Sequence, residues 1–298
     1  MRPCRWIFCH DEVALRVIVR PFGTTGRDVP MIGQGTWNVP TRGARADEAK
    51  HALRRGIELG MVHVDSAEMY GDGAAERLVG EAIAGLPREQ LFLVSKVLPT
   101  NATYEGTIRA CEASLKRMRV DYLDCYLLHW RGSVPLGETM RALERLVRDG
   151  KTRALGVSNF DVADLEEAAA ALEAESIACN QILYHLGERT AETHEMPYCR
   201  EHGIAIVGYT PFGRGDWADR AGGRVVDEIA RKHGVTPHAV ILAFLTREPA
   251  NFTIPKSSTI EHVEANAAAG DLRLDDAELA AIDEAFPVRR RRGGLPTL

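Results

Sequence analysis

Four side chains that can exchange protons or hold charge lie at or just after the ends of apolar segments of this 298-residue chain: Asp65, Tyr70, Lys96 and His129. An isolated charge in an apolar interior is costly, whereas a carboxylate and an ammonium that neutralise each other are tolerated. Asp65 and Lys96 each end an apolar run. We therefore predict that they form an ion pair on neighbouring strands.

This pair is predicted to act on Tyr70, which stands on the loop that begins at Asp65. A nearby ammonium favours the ionised form of a phenol, so Lys96 is expected to lower the pKa of Tyr70 toward neutrality and make it a general acid. His129 can donate a hydrogen bond to the same substrate oxygen. Glu68, the other acid of the loop, is assigned to a loop contact.

Each of these residues also has a structural explanation. An Asp–Lys pair is often structural, a tyrosine after a strand often only packs, and a histidine beside Trp130 is often a core residue. The occurrence of all four residues at three consecutive strand ends favours catalysis over these separate explanations.

Eight short apolar runs alternate with segments of helical periodicity. Strands that are apolar on both faces and alternate with helices predict a parallel sheet covered by helices, and eight repeats in roughly 250 residues predict a closed (β/α)₈ TIM barrel. A doubly wound open sheet is the alternative, but no GxGxxG sequence follows the first strand. The runs are 31–35, 62–65, 91–97, 122–128, 153–157, 178–183, 204–209 and 252–254.

The ends of the chain add to this pattern. Apolar segments around Gly23 and Gly26 predict an N-terminal β-hairpin, and extra helices are expected toward the C-terminus. Residues 1–17 are expected to be an N-terminal extension, and residues 18–298 a single barrel domain. The predicted helices are 47–59, 74–83, 104–118, 137–148, 162–174, 193–202, 225–233, 237–246 and 260–268.

Nearly every apolar run stops on polar side chains. A (β/α)₈ barrel builds its site at the carboxyl ends of its strands, so these residues are expected to converge on one face. In chain order they are Asp65, Lys96, His129, Ser158, Asn159, Asn180, Gln181, Tyr209, Lys256 and Ser257.

Asp65, Tyr70, Lys96 and His129 resemble, in order and spacing, the catalytic tetrad of the aldo-keto reductases. The likeness extends from the hairpin to Phe286. Among family members the chain looks most like bacterial reductases that act on methylglyoxal and similar small aldehydes. Further matching motifs are Gly35-Thr36-Trp37, Gly156-Val157-Ser158-Asn159-Phe160, Gly208-Tyr209-Thr210-Pro211 and Ile254-Pro255-Lys256-Ser257.

The resemblance implies a nicotinamide cofactor, NADPH, extended across the barrel mouth, and no metal. Its carboxamide would be held by Ser158, Asn159 and Gln181, with its ring stacked on Tyr209. The segment after this tyrosine is also expected to bind the cofactor; it comprises Thr210, Pro211, Phe212 and Gly213.

A second anion site is predicted where Lys256, Ser257, Ser258 and Thr259 precede a helix. A lysine, hydroxyl groups and a helix N-terminus suit the 2′-phosphate of NADPH. The family usually has an arginine and a glutamate on the following turn. This chain has His262 and Ala265 there and keeps Asn266. We expect NADPH to be preferred, with NADH possible, because a planar, permanently charged donor is missing.

Trp37 and Trp130 are expected to line the substrate pocket. The segments that shape specificity in the family are short here, which favours an open site for small aldehydes or dicarbonyls. The predicted function is their NADPH-dependent reduction to alcohols. The alternative is a cofactor-sensing regulatory subunit with little turnover, since proteins of this fold can retain the tetrad.

The composition and the N-terminal sequence argue against a nucleic-acid-binding, membrane or secreted protein. The net charge of -5 without a long basic stripe argues against a nucleic-acid partner, and no apolar run approaches the ~20 residues of a membrane span. The start lacks a secretory signal, so the cytoplasm is expected, with a monomer and a small-molecule carbonyl substrate. Six scattered cysteines indicate reduced thiols; Cys4, Cys9 and His10 are poor metal-ligand candidates.

Overall fold

The computed structural model describes residues 17–215, 217–218, 222–289 and 294–298. The candidate ligands Cys4, Cys9 and His10 and nearly all of the predicted extension lie outside these ranges. Val17, which we had assigned to the extension, is 6% exposed and packs in the core. The cysteines at 111, 125, 179 and 199 are buried free thiols, as predicted.

The predicted N-terminal β-hairpin is present, and it lies at the floor of the barrel. Strands β1 (Val19–Pro21) and β2 (Asp28–Pro30) pair antiparallel. Phe22, in the turn between them, is fully buried and its ring packs against His63 and two phenylalanines. Gly23 has φ +51° and a Cβ there would lie 1.9 Å from a backbone carbonyl oxygen, so only glycine fits this close approach.

Eight parallel strands follow in consecutive order, which confirms the predicted barrel. Parallel bridges from Ile32 to Thr253 and from Gly35 to Lys256 join the first and last strands. The backbone N–H of Gly33 donates to the carbonyl of Thr253 at 2.8 Å, so the sheet closes on itself. The strands are β3 (Gln34–Gly35), β4 (His63–Asp65), β5 (Phe92–Val97), β6 (Cys125–Leu128), β7 (Leu155–Ser158), β8 (Ile177–Leu183), β9 (Ala205–Tyr209) and β10 (Asn251–Thr253).

Helices cover the strands on the outside. The helices are α1 (Ala44–Glu58), α2 (Ala74–Ala82), α3 (Tyr104–Met118), α4 (Leu136–Arg148), α5 (Val162–Ala170), α6 (Glu195–Glu201), α7 (Gly223–His233), α8 (Pro237–Leu245), α9 (Ile260–Ala268) and α10 (Asp276–Ala285). Each predicted helix is present, two of them with the same bounds. No helix in the described part of the chain is long and apolar enough to cross a membrane.

Helix α10 is not among the helices predicted individually from periodicity. Among the described residues of α10, Ile282 is the one apolar side chain that is buried. The apolar stripe of this helix is therefore too narrow for sequence periodicity to reveal it. Its start is instead fixed by a capping box, in which Asp275 accepts from the backbone N–H of Glu278 and Glu278 accepts from that of Asp275.

Candidate active site

Lys96 and Asp65 form the buried centre of the barrel mouth. Nζ of Lys96 donates to Oδ2 of Asp65 at 2.6 Å, and both side chains are almost completely inaccessible. The same Nζ donates to the carbonyl of Ser66 at 2.8 Å and to Oη of Tyr70 at 3.3 Å. Nε2 of Gln181 donates to the other oxygen of Asp65 at 2.8 Å. The predicted ion pair is therefore present, and it touches the phenol.

Burial works against the charge of Lys96, but the neighbouring Asp65 and Tyr70 outweigh it and raise the pKa of this lysine. Lys96 is therefore held as an ammonium. For Tyr70 the predicted shift toward neutrality is wrong: burial raises the pKa of this phenol, and the lowering effect of Lys96 does not overcome it. Desolvation penalises the phenolate more than one ammonium, already paired with Asp65, can compensate. Tyr70 thus keeps its proton, which is the state a proton donor needs.

His129 completes the group. Its ring centroid lies 5.7 Å from that of Tyr70 and 4.8 Å from that of Trp130. Burial, reinforced by Lys96, lowers the pKa of His129 to about 3. The imidazole is therefore neutral at physiological pH and carries one N–H donor.

A cavity of about 360 Å³ opens over these residues. It brings together most of the predicted site, including both tryptophans. Lys96 lies behind Asp65 and Tyr70. From the predicted set the lining contains Trp37, Asp65, Tyr70, His129, Trp130, Ser158, Asn159, Gln181, Tyr209, Thr210, Pro211, Phe212, Gly213 and Lys256.

The sequence analysis missed other lining residues, including Asn38, Met69 and Leu298. The position of Met69 next to Tyr70 was an available signal. Asn38 has φ +54°, a conformation that asparagine tolerates better than most residues, but a single sequence does not reveal it. Leu298 is remote in the chain and reaches the cavity only through tertiary structure.

Three of the residues predicted to contact the nicotinamide, Ser158, Asn159 and Tyr209, are joined to one another by hydrogen bonds. Nδ2 of Asn159 donates to the carbonyl of His129 and to Oγ of Ser158, each at 3.1 Å. Oη of Tyr209 donates to Oδ1 of Asn159 at 2.8 Å. The amide of Asn159 therefore fixes the position of the Tyr209 ring.

At the predicted phosphate site, α9 begins directly after Thr259, whose Oγ1 accepts from the backbone N–H of His262 at 3.5 Å. Oγ of Ser258 is buried and has no hydrogen-bond partner in the described structure, and Lys256, two residues earlier in the chain, is exposed. A buried hydroxyl without a partner, next to a cation and a helix N-terminus, suits an anionic oxygen. The residues present thus fit the phosphate end of the cofactor.

Two further carboxylates join the segment after β4 and helix α2 to β5 and to the residues that follow it. Oε1 of Glu68 accepts from the backbone N–H of Leu98 at 2.6 Å and from Nδ2 of Asn101 at 3.0 Å, which confirms the expected loop contact. Glu76, on α2, is fully buried and accepts from Oγ of Ser95 at 2.6 Å. The sequence analysis did not single out Glu76, because a glutamate in the first turn of a helix is ordinary.

A model of the aldo/keto reductase family matches residues 31–286. The chain belongs to the aldo-keto reductase family. Methylglyoxal reductase YeaE of Escherichia coli (strain K12) is 44% identical over 270 residues, spanning 90% of this chain and 94% of that protein. Glyoxal reductase of Bacillus subtilis (strain 168) is 35% identical over 260 residues, spanning 87% of this chain and 89% of that protein.

Solved aldo-keto reductase structures agree. One from Klebsiella pneumoniae in complex with NADPH has a TM-score of 0.87 and 41% identity, covering 94% of this chain and 99% of that one. A second from the same organism, with NADP and acetate, has a TM-score of 0.86. The predicted family, fold and enzyme class, an NAD(P)H-dependent oxidoreductase, are thereby confirmed.

Proposed function

We propose that this aldo-keto reductase uses NADPH to reduce small aldehydes and dicarbonyls of the methylglyoxal type to alcohols, with Tyr70 as general acid. The observation that carries the proposal is the contact of Tyr70 Oη with Lys96 Nζ at 3.3 Å, beneath an aromatic-walled cavity. The similarity of this chain to a methylglyoxal reductase and a glyoxal reductase supports this substrate class.

The proton comes from Tyr70. When bound, the nicotinamide supplies the hydride to the carbonyl carbon, and charge then develops on the carbonyl oxygen. The Tyr70 hydroxyl gives its proton to that oxygen, and the ammonium of Lys96 stabilises the phenolate that remains. Asp65, 2.6 Å from Nζ, keeps the lysine charged.

His129 orients the carbonyl. Because its pKa is lowered to about 3, it acts as a neutral hydrogen-bond donor and does not compete with Tyr70 as an acid. Its ring and the ring of Tyr70 meet edge to face, so both reach the same side of the cavity. The neighbouring indoles of Trp37 and Trp130 form apolar walls around this polar oxygen.

Cofactor binding is assigned to two regions. Ser158, Asn159 and Gln181 would hold the carboxamide, and the Tyr209 ring, which is fixed by Asn159, would contact the nicotinamide. The segment 210–213 continues this wall.

The phosphate region would bind the 2′-phosphate and so favour NADPH over NADH. Its members are Lys256, Ser257, Ser258, Thr259, His262 and Asn266.

The decisive experiment is NADPH oxidation by the purified protein with methylglyoxal, glyoxal and simple aldehydes as substrates. Turnover that disappears in Tyr70→Phe supports the enzyme. Negligible turnover on every carbonyl, together with a partner that co-purifies stoichiometrically, would instead identify the cofactor-sensing regulatory subunit. The Tyr70→Phe comparison separates the assigned acid from background reduction.

A further inference from the structure

The segment between Tyr70 and helix α2 is a left-handed turn. Gly71, Asp72 and Gly73 are consecutive and have φ values of +57°, +51° and +75°. Glycine tolerates this region, whereas an aspartate is uncommon there. The backbone carbonyl of Tyr70 accepts from the N–H of Ala75 at 3.2 Å, so the turn joins the tyrosine directly to the first turn of α2. The position of the Tyr70 ring therefore depends on how this turn and the start of α2 are held.

The side chain of Arg117, from the last turn of α3, lies against the left-handed turn. A Cβ at Gly73 would lie 2.5 Å from Nε of Arg117, so the arginine occupies the space that any other residue at this position would need. Backbone in an uncommon conformation persists where surrounding groups hold it, and Arg117 is such a group. Arg117 does not line the cavity above Tyr70, so it acts on the turn from behind.

A fully buried carboxylate fixes the guanidinium of Arg117. Nε of Arg117 donates to Oε2 of Glu76, on α2, and Nη2 donates to Oγ of Ser114 at 3.1 Å. The side chain of Arg117 is 21% exposed and that of Glu76 is completely inaccessible. Removal of the arginine would leave an unpaired buried charge, so the two side chains hold each other in place.

Glu76 also joins the helix that follows the tyrosine to the strand that carries the lysine. Its other oxygen accepts from Oγ of Ser95 at 2.6 Å. Ser95 and Lys96 are neighbours on β5, and successive side chains of a strand point to opposite faces. Ser95 therefore meets Glu76 on the outer face of the barrel, while Nζ of Lys96 reaches Oη of Tyr70 at 3.3 Å. One continuous set of contacts thus connects Lys96, through Glu76 and Arg117, to the turn after Tyr70.

We infer that Arg117 and Glu76 are positioning residues that set the separation of Tyr70 and Lys96 from outside the cavity. The inference rests on the proposed function and adds to it two residues that do not line the cavity. Without the guanidinium against Gly73, the left-handed turn relaxes and the phenol moves relative to the ammonium. A displacement of about 1 Å costs on the order of a hundredfold in rate, so the chemical step should slow by about ten- to a hundredfold.

Arg117→Met removes the guanidinium, and Arg117→Met/Glu76→Gln also neutralises the carboxylate that would otherwise remain unpaired. In both variants we expect the single-turnover rate of NADPH oxidation by methylglyoxal to fall by about ten- to a hundredfold, with the dissociation constant of NADPH unchanged. Arg88→Met is the matched control. It removes an arginine of similar exposure from buried Asp124, which precedes β6 at the end opposite the cavity, and it should keep the wild-type single-turnover rate.

Gly73→Ala tests the same contact from the other side. The added methyl group would meet Arg117, and a φ of +75° disfavours alanine, so the turn must shift and the single-turnover rate should fall. Gly85→Ala is the matched control, because Gly85 has φ +79° and no described atom lies within 4 Å of an added Cβ there. Gly85→Ala should therefore keep the wild-type rate, although it carries the same backbone strain.

The outcomes are distinct. A wild-type single-turnover rate in the folded Arg117→Met/Glu76→Gln protein, or equal losses in Arg117→Met and Arg88→Met, would overturn the positioning role while leaving methylglyoxal reduction by the wild type intact. Absence of turnover in the wild type would instead overturn the proposed function. Thermal unfolding identifies a variant that fails to fold. The comparison of Gly73→Ala with Gly85→Ala then carries the test, because neither substitution removes a charge from the buried ion pair.

Discussion

Nζ of Lys96 lies 3.3 Å from Oη of Tyr70, although the two residues arrive on different strand-to-helix units of the barrel. The lysine comes from β5, and the tyrosine from the loop after β4. An ammonium at this distance favours a negative charge on the phenol oxygen without removing the proton in advance, because burial keeps the pKa of Tyr70 raised. In the proposed reaction, the contact would therefore stabilise the phenolate as the proton leaves.

Tyr70→Phe should abolish reduction while leaving NADPH binding nearly unchanged. The substitution removes the hydroxyl and keeps the ring, so it removes the proton donor but little packing. General acid catalysis contributes on the order of a hundred- to ten-thousandfold, and we expect kcat for methylglyoxal to fall by that factor. Steady-state rates and a fluorescence titration with NADPH measure the two effects. Wild-type turnover in the variant would show that Tyr70 is not the acid.

Asp65→Asn should destabilise the protein. It leaves the ammonium of Lys96 buried without a counter-charge, and breaking a buried pair from one side costs about 3–5 kcal/mol. Denaturant unfolding measures the loss. The double variant Asp65→Asn/Lys96→Met removes both charges and should recover much of the stability without activity. A single variant as stable as the wild type would contradict the buried pair.

The barrel, its order of strands and the convergence of Asp65, Tyr70, Lys96 and His129 could be predicted because each depends on local sequence. A strand buried on both faces needs a continuous apolar run, and a barrel places the polar residue that ends such a run at the mouth. The positions of Asp65, Lys96 and His129 at these ends therefore specified their convergence. The bridge between Ile32 and Thr253 then closes the ring.

The pKa of Tyr70 and the contacts of Glu76 could not be predicted in this way. A pKa depends on the balance between desolvation and charge, which requires three-dimensional burial. The contact between Glu76 and Ser95 joins a helix to the inner strand, and no local pattern specifies it.

His63 should make the protein less stable in acid. It is fully buried, both ring nitrogens lack a partner in the described structure, and burial lowers its pKa from 6.5 to about 3. Below pH 6.5 the unfolded chain binds a proton that the folded chain excludes, so stability falls as the pH drops from 6.5 toward 3. At about pH 5 the loss from this residue amounts to about 2 kcal/mol.

Denaturant unfolding of wild type and His63→Leu between about pH 7 and pH 5 measures this effect. The variant should lose less stability over the interval, because its residue 63 cannot be protonated in the unfolded chain. The ring sits at the barrel floor beside Phe22 and outside the substrate cavity, so the comparison does not depend on activity. Parallel pH profiles for the two proteins would contradict the burial of a neutral histidine.

Lys256→Ala should weaken NADPH binding much more than NADH binding. Exposed Lys256 is two residues from Ser258, whose hydroxyl is unpartnered in the described structure, and it precedes the N-terminus of α9, the proposed site of the 2′-phosphate that only NADPH carries. We expect a loss of about tenfold or more for NADPH, the size of a charge-assisted hydrogen bond. Equal weakening of both cofactors would show that Lys256 does not recognise the 2′-phosphate.

The converse change is His262→Arg, which supplies the planar, permanently charged donor that this position lacks. Because guanidinium binds phosphate with two parallel hydrogen bonds, the variant should bind NADPH more tightly and leave NADH unchanged. Titration of both cofactors by fluorescence measures the ratio. An unchanged ratio would place the phosphate away from the first turn of α9.

Glu68→Ala should slow catalysis without a comparable change in KM. The carboxylate of Glu68 accepts from the backbone of Leu98 at 2.6 Å and from Asn101 at 3.0 Å, so it fastens the loop that carries Tyr70 to the segment that follows Lys96. Without it, the phenol and the ammonium lose their fixed separation. Misplacement of a catalytic group by about 1 Å costs on the order of a hundredfold in rate, so we expect kcat to fall by about ten- to a hundredfold.

Glu68→Gln is the matched control, since its amide oxygen can still accept from both donors. If Glu68 acts through hydrogen bonding, the glutamine variant should retain most of the wild-type kcat. If the charge itself matters, Gln and Ala will be equally impaired, and the pH dependence of kcat will shift in both. Retention of full activity by the alanine variant would show that the loop is held by other contacts, of which the buried bond between Glu76 and Ser95 is the strongest candidate.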